Sequence, residues 1–247
     1  MYAEQYIDKV AGLLDEFRGQ SEQVMAAAEA VADRLAAGGR MHHFDTGHMK
    51  EEPIRRAGGF LALHHLELKF EVEHLLPAGR EAERGPMQQR YFYDREELAP
   101  LLIEKSHIQS GDVLIQVSNS GKEPFTVGVA VEAKAKGALV IGLTSVAFSE
   151  ALDPCHSSGK KLYEVADLII DMGSPFGDAV VDVEGLETPV GATSGVMTAV
   201  SLWALMSEIA GSCARRGLSP SIYRSVNLPG GFEHNREMER AYGATGL

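Results

Sequence analysis

The stretch "VLIQVSNSGKEP", residues 113–124, passes from an apolar run directly into Ser118, Asn119, Ser120 and Gly121. Hydroxyl and amide groups beside a glycine can donate hydrogen bonds to a negatively charged group that approaches the backbone closely. The stretch is not a Walker A loop, because the spaced glycines and the Gly-Lys-Ser/Thr ending are missing. An ordinary N-capping turn is the alternative interpretation, since serine and asparagine cap helices in any α/β protein.

Two further stretches of the same kind favour a binding pocket. "GLTSVAFSE" places Thr144 and Ser145 after a second apolar run, and "DTGH" places Thr46 and Gly47 after another strand candidate. The carboxyl ends of parallel strands meet at one edge of a sheet, and ligands bind beyond that edge. Three such strand ends predict one pocket for a small anion such as a phosphate group.

Periodic apolar positions predict the elements that carry these loops. The strands read as nearly continuous apolar runs between helices, which indicates a parallel sheet covered on both faces. The predicted helices span residues 3–37, as one long helix or a broken pair ending at Gly38-Gly39, then Met49 to Ala57, 94–105 and 123–136. The predicted strands lie at "RMHHFD", at residues 112–117 and 138–143, and at "VADLIIDM" and "DAVVDV", and "HHLELKFEVEHLL" also permits a strand.

The segment "VGATSGVMTAVSLWALMSEIAGSCARRG" is apolar almost all round. Such a helix is buried in the core or in a subunit interface, and we favour the interface. No linker divides the chain, so we expect a single domain over residues 1–247. It comprises an N-terminal helical extension (1–37), a core (38–231) and a C-terminal helix with its tail (232–247).

Composition excludes several classes of function. The net charge of −12 argues against nucleic acid as a partner, because a nucleic-acid binder needs a basic surface. No run of eighteen apolar residues occurs and the N-terminus is acidic, so we expect a soluble, cytoplasmic protein with no membrane partner. The two cysteines, Cys155 and Cys213, do not have the spacing of a structural zinc site.

The serine loop, followed one helix and one strand later by "VIGLTS", resembles the sugar isomerase (SIS) domain. The resemblance extends to "HSSGKKLYEVADLIIDMGSPFGDAVV" and "NLPGGFEHN" and covers about residues 35–240. It implies a flavodoxin-like sheet of about five parallel strands between helices, in a homodimer or homotetramer with sites at subunit interfaces. It further implies a bound sugar phosphate, whose phosphate is held by Ser118, Asn119, Ser120 and Thr144, with Ser145 as a weaker candidate.

The stretch "GHMKEEPIRRAGG" carries the candidate chemistry. His48 and Glu52 are four residues apart, so they share one face of a helix. Phosphoheptose isomerases have a similar His-x-x-x-Glu element, with the glutamate in acid–base work and, in some members, zinc between the two residues. We therefore predict Glu52 as the proton-moving carboxylate and His48 as its partner or as a metal ligand. The alternative is that His48 caps the turn while Glu51 and Glu52 stabilise the first turn of the helix.

Other residues bear on the predicted catalytic and phosphate-binding roles. The phosphoheptose isomerases draw a catalytic histidine from a late helix, and the apolar segment here has none, which argues against heptose isomerisation. His234, after a Gly-Gly turn, is a third catalytic candidate. The carboxylate of Asp45 precedes Thr46 and Gly47 and would repel a phosphate at that turn. The tandem pairs His42-His43 and His64-His65 face opposite ways on strands, so we interpret them as partly structural.

Two main classes of function remain open, and a catalytically silent subunit is a third possibility. The leading hypothesis is an aldose–ketose isomerase that acts on a sugar phosphate through an enediol(ate), with an amino-sugar-phosphate deaminase or lyase as its near variant. The alternative is a phosphosugar-sensing module without chemistry, which has little need of an acid–base group such as Glu52. No organic cofactor is expected, and zinc is the one metal that the resemblance allows.

Overall fold

The structure is a computed structural model. It describes residues 1–45, 47, 49, 52–54, 56–69 and 92–247. The helices are α1 (Tyr2–Arg18), α2 (Ser21–Ala36), α3 (Ala99–Lys105), α4 (Pro124–Ala135), α5 (Val146–Glu150), α6 (Leu162–Val165), α7 (Ser194–Arg215) and α8 (Gly231–Thr245). The strands are β1 (Met41–Asp45), β2 (Leu63–His65), β3 (Val113–Val117), β4 (Leu139–Thr144), β5 (Leu168–Asp171), β6 (Ala179–Val181) and β7 (Val190–Ala192).

Five strands form one parallel sheet in the order β2-β1-β3-β4-β5. Every residue of β1 and β3 is buried, as expected for central strands that are covered on both faces. The predicted flavodoxin-like fold is therefore confirmed. The strand signal at "DAVVDV" does not join this sheet, because β6 pairs antiparallel with β7 in a separate hairpin.

A helical layer packs on each face of the sheet. On one face, α2 and α7 pack against each other and bury an apolar cluster with the strands. On the other face, α3, α4 and α6 bury a second cluster. The predicted N-terminal helix is a broken pair, in which α2 belongs to the core while α1 has no buried residue.

Helix α7 is the apolar segment of the sequence. By length and composition it is long enough to cross a membrane, and it is the one such helix among the described residues. Half of its most apolar window is buried inside the fold, as in the core helix of a globular protein. The other half of this window is partly or fully exposed in the single chain.

The tandem histidines pair across β1 and β2. His42 lies beside His64, with ring centroids 6.3 Å apart, and His43 lies beside His65, at 5.5 Å. Burial lowers the pKa of His43 to about 4, and burial also lowers the pKa values of His42 and His64. His42 contacts the carboxylate of Asp112 at 3.2 Å. These contacts join the two strands, which agrees with a structural role.

Candidate functional site

The three polar loops identified in the sequence follow neighbouring strands. Strand β3 lies between β1 and β4, and all three run in the same direction. Their carboxyl ends therefore lie along one edge of the sheet, where unpaired backbone groups of the following segments are available to a ligand. The predicted juxtaposition of the three strand ends is present in the structure.

The loop after β3 is tied to the end of β4 by hydrogen bonds. The Thr144 hydroxyl donates to the Asn119 carbonyl at 3.1 Å, and the Ser145 amide donates to the same carbonyl at 3.1 Å. The Ser145 hydroxyl donates to Asn119 Oδ1 at 2.5 Å. The hydroxyl protons of Thr144 and Ser145 are thus engaged within the protein, and these two residues hold the shape of the loop.

Gly121 closes this loop in a conformation that other residues rarely adopt. Its φ is +59°, and a Cβ atom there would lie 2.9 Å from Thr144 Oγ1 and 3.2 Å from the Leu162 Cβ. The Gly121 amide donates to the Ser118 hydroxyl oxygen at 3.2 Å, and its carbonyl accepts from the Leu162 amide at 2.7 Å. A glycine is required here because both the backbone conformation and the space exclude a side chain.

Three donors of the loop remain for a ligand. No described residue accepts the hydroxyl protons of Ser118 and Ser120 or the amide protons of Asn119 Nδ2. Ser118 and Asn119 are buried and Ser120 is half-buried at the end of the loop. Helix α4 begins only at Pro124, which has no N–H, so the loop itself supplies the side-chain donors.

The turn after β1 is organised by Asp45. Its buried carboxylate accepts from the Gly47 amide at 2.8 Å and from the Met49 amide at 2.6 Å. These two N–H groups are therefore engaged with a carboxylate of the protein. The weaker phosphate contact expected at this turn stays a prediction. Thr46 and His48 lie outside the described residues.

Glu52 follows in a turn, where the sequence predicted a helix from Met49 to Ala57. Residues 52–54 have turn conformation, and the Glu52 amide donates to the Met49 carbonyl at 3.2 Å. The Glu52 carboxylate, whose side chain is 21% exposed, forms an ion pair with Arg56 at 2.9 Å. Pro53 restricts the backbone in this stretch, and a proline inside a helix would remove one hydrogen bond.

The zinc hypothesis concerns His48 and Glu52, and His48 lies outside the described residues. In the part of the chain that the structure describes, no group of three or more histidine, cysteine, aspartate or glutamate side chains has a geometry suited to a metal ion. The Glu52 carboxylate is engaged by a guanidinium group, which competes with a cation. Zinc between His48 and Glu52 therefore stays a prediction.

His234 lies on α8, and its Nε2 is 3.1 Å from the Ile222 carbonyl. This contact joins α8 to the segment around Ile222. Ile222 also forms an antiparallel bridge with Phe60, which follows the Glu52 turn in the chain. His234 thus holds the C-terminal segment in place. The predicted catalytic role of His234 stays a prediction.

Lys161 supports the loop after β3, although the sequence did not single it out. Its side chain is buried, and Nζ donates to the carbonyls of Ser149 at 2.7 Å and Leu152 at 2.9 Å, at the end of α5. The next residue, Leu162, is the one that bonds Gly121. A lysine beside another lysine in a polar stretch gives no sequence signal for this role.

A five-stranded parallel sheet with hydrogen-bond donors at the ends of adjacent strands defines an α/β protein suited to binding an anion. The chain belongs to the SIS domain family, whose sequence profile matches residues 5–145. A UPF0309 protein of Streptomyces avermitilis is 34% identical over 248 residues, which cover 98% of this chain and 95% of that protein.

Two solved structures share the fold at low sequence identity. The phosphoheptose isomerase GmhA from Neisseria gonorrhoeae has a TM-score of 0.50 at 14% identity, over 86% of this chain and 97% of that chain. The Vibrio vulnificus NanR protein complexed with ManNAc-6P has a TM-score of 0.52 at 12% identity, over 99% of this chain and 69% of that chain. Both likenesses concern the fold alone.

Proposed function

We propose that the protein binds a sugar phosphate, with the phosphate at the loop after β3. The observation that carries this proposal is a set of donors on Ser118, Asn119 and Ser120 that no described residue accepts. Thr144, Ser145 and Gly121 hold the loop in place. Hydrogen bonds to a charged acceptor are stronger than those between neutral groups. Two SIS-fold proteins also support the proposal, one a phosphoheptose isomerase and the other in complex with ManNAc-6P.

The reaction that we propose is aldose–ketose isomerisation. A carboxylate can take the proton from C2 of the open-chain sugar and return it to C1, while a positive group stabilises the enediolate oxygen. Glu52 supplies the carboxylate, and Arg56 lies 2.9 Å from it. His48 is proposed as the partner of Glu52 and His234 as a further acid–base candidate. Binding of the remote phosphate positions the sugar for this transfer.

The assembly that we propose is a homodimer or homotetramer. Half of the most apolar window of α7 is partly or fully exposed in the single chain, including Val196, which is 37% exposed. A second copy of the chain on this face would remove apolar surface from water. We also propose that the sugar-phosphate sites lie at the interface between copies.

A sensor without chemistry is the second candidate, favoured by the engagement of Glu52. A carboxylate that is already paired with Arg56 must leave the ion pair or act within it, whereas a sensor needs no such step. In this case ligand binding would change the contacts of the protein with a partner.

Deuterium exchange separates the two candidates. The protein is incubated with a panel of sugar phosphates in deuterated water, and the C1 and C2 protons are followed by NMR. The isomerase predicts exchange with one sugar class that stops in Glu52→Gln and continues in the control Glu237→Gln, an exposed residue of α8. If ligands raise the melting temperature but no deuterium enters C1 or C2, the isomerase hypothesis is excluded and the sensor hypothesis stands.

A further inference from the structure

A cavity lies beside the Glu52 turn. It has a volume of about 700 Å³, within the size range of small-molecule sites. Glu52 and Arg56 form one wall, Trp203 of α7 forms another, and the segment from Tyr223 to Asn227 forms a third. We call this cavity the tryptophan pocket.

The walls of the tryptophan pocket carry the groups that bind sugars. An indole ring and a phenol ring offer flat apolar faces to the C–H groups of a sugar. The amide side chain of Asn227 and the guanidinium group of Arg224 offer donors to oxygen atoms. This mixture of flat apolar surface and planar polar groups suits a polyhydroxylated ligand.

The pocket is held in shape by backbone pairing. The Gly58 amide donates to the Tyr223 carbonyl at 2.8 Å, and the Tyr223 amide donates to the Gly59 carbonyl at 3.0 Å. The side chain of Asn235 forms two hydrogen bonds with the backbone of Arg224, at 2.8 and 2.9 Å. Arg224 is thus anchored at its backbone while its side chain is exposed.

The tryptophan pocket is lined by two positively charged side chains, Arg56 and Arg224, and one negatively charged side chain, Glu52. Glu52 is paired with Arg56, and no carboxylate among the described residues pairs with Arg224. An ammonium group in this pocket would meet the unpaired guanidinium group, whereas a hydroxyl, an N-acyl group or a carboxylate would accept hydrogen bonds from it. An unpaired guanidinium group therefore disfavours a free amino sugar in this pocket.

We propose that the tryptophan pocket binds the sugar portion of the ligand and that Arg224 selects uncharged or N-acylated sugars over free amino sugars. This inference rests on the proposed function, because Glu52 belongs both to the pocket and to the proposed chemistry. It also disfavours the amino-sugar-phosphate deaminase as the activity.

The test uses Trp203, which is the only tryptophan of the chain. Tryptophan emission is titrated with fructose 6-phosphate, glucosamine 6-phosphate and N-acetylglucosamine 6-phosphate. We expect saturable changes with the first or the third ligand, and binding of glucosamine 6-phosphate weaker by about fivefold or more, as for like charges several Å apart near a surface. Arg224→Gln should reduce this difference to less than about twofold, whereas Arg236→Gln on α8 should preserve it.

The outcomes separate this inference from the proposed function. If ligands raise the melting temperature but leave the Trp203 emission unchanged, the pocket proposal is overturned and the phosphate loop stands. If the emission changes but no deuterium exchange occurs, the pocket stands and the isomerase falls. If glucosamine 6-phosphate binds as tightly as the other ligands, the selectivity is refuted. If no ligand gives either signal, both proposals are overturned.

Discussion

Replacement of Gly121 by alanine tests how the loop after β3 is built. The alanine would have to adopt a backbone φ of +59°, and its Cβ atom would lie 2.9 Å from Thr144 Oγ1. That hydroxyl is not the free end of a flexible chain, because it donates to the Asn119 carbonyl at 3.1 Å. The substitution must therefore strain the backbone and displace a buried hydrogen bond together.

The cost of Gly121→Ala can be divided into two parts. A side chain in the left-handed region costs about 1–2 kcal/mol. Loss of the hydrogen bond between Thr144 and Asn119 leaves the buried Thr144 hydroxyl without an acceptor, while the Asn119 carbonyl keeps the Ser145 amide. This loss adds about 1–2 kcal/mol. We expect the free energy of unfolding to fall by about 2–4 kcal/mol, and phosphate binding to weaken because the donors of the loop move.

Gly159→Ala is the matched control. Gly159 has a φ of +68°, but a Cβ atom there meets nothing within 4 Å. This variant should lose only the conformational part, about 1–2 kcal/mol. Urea denaturation of both variants and the wild type gives the two values. Equal losses in the two variants would refute the role that we assign to the contact between residue 121 and Thr144.

Two predictions concern stability elsewhere in the fold. Burial lowers the pKa of His43 to about 4 and lowers those of His42 and His64, so the unfolded chain binds protons below about pH 6.5 that the folded chain does not bind. Stability should therefore fall as the pH drops from about 6.5 towards 4, by about 1.4 kcal/mol per pH unit for each proton, and a urea midpoint that does not change with pH would contradict this. Asp178 accepts hydrogen bonds from the backbone and the hydroxyl of Ser194 at 2.7 and 2.6 Å, at the start of α7. Asp178→Ala should lose about 1–2 kcal/mol in thermal unfolding, and Asp178→Asn, which keeps an acceptor oxygen, should lose less; equal losses would argue against the cap.

Much of the sheet is predictable from the sequence because its central strands are apolar throughout. The apolar runs of β3 and β4 are bounded by polar loops. Because helix α4 lies between them in the chain, a parallel arrangement is predicted. Strand β2 was harder to predict, since it has three residues and two of them are histidines. The hairpin of β6 and β7 depends on a pairing partner at residues 190–192, which carries no strand pattern of its own.

The candidate site is predictable in its parts but not in its internal contacts. Residue types at the strand ends identified Ser118 and Ser120, because strand ends in a parallel sheet are a general place for ligands. The engagement of Asp45 with the turn that follows it and the ion pair between Glu52 and Arg56 are set by three-dimensional contacts. The expected helix over Met49 to Ala57 is a turn at residues 52–54, so a shared face of His48 and Glu52 stays a prediction.

The central claim is that the loop after β3 holds a phosphate, and calorimetric titration with inorganic phosphate tests it without knowledge of the sugar. Ser120 is the residue to change, because its hydroxyl makes no hydrogen bond to another described residue. Ser120→Ala should weaken binding by about 10- to 100-fold at an unchanged melting temperature, as for loss of one hydrogen bond to a charged group. Ser219→Ala, in the exposed loop after α7, should bind as the wild type does. Equal affinity of Ser120→Ala and the wild type would contradict the claim.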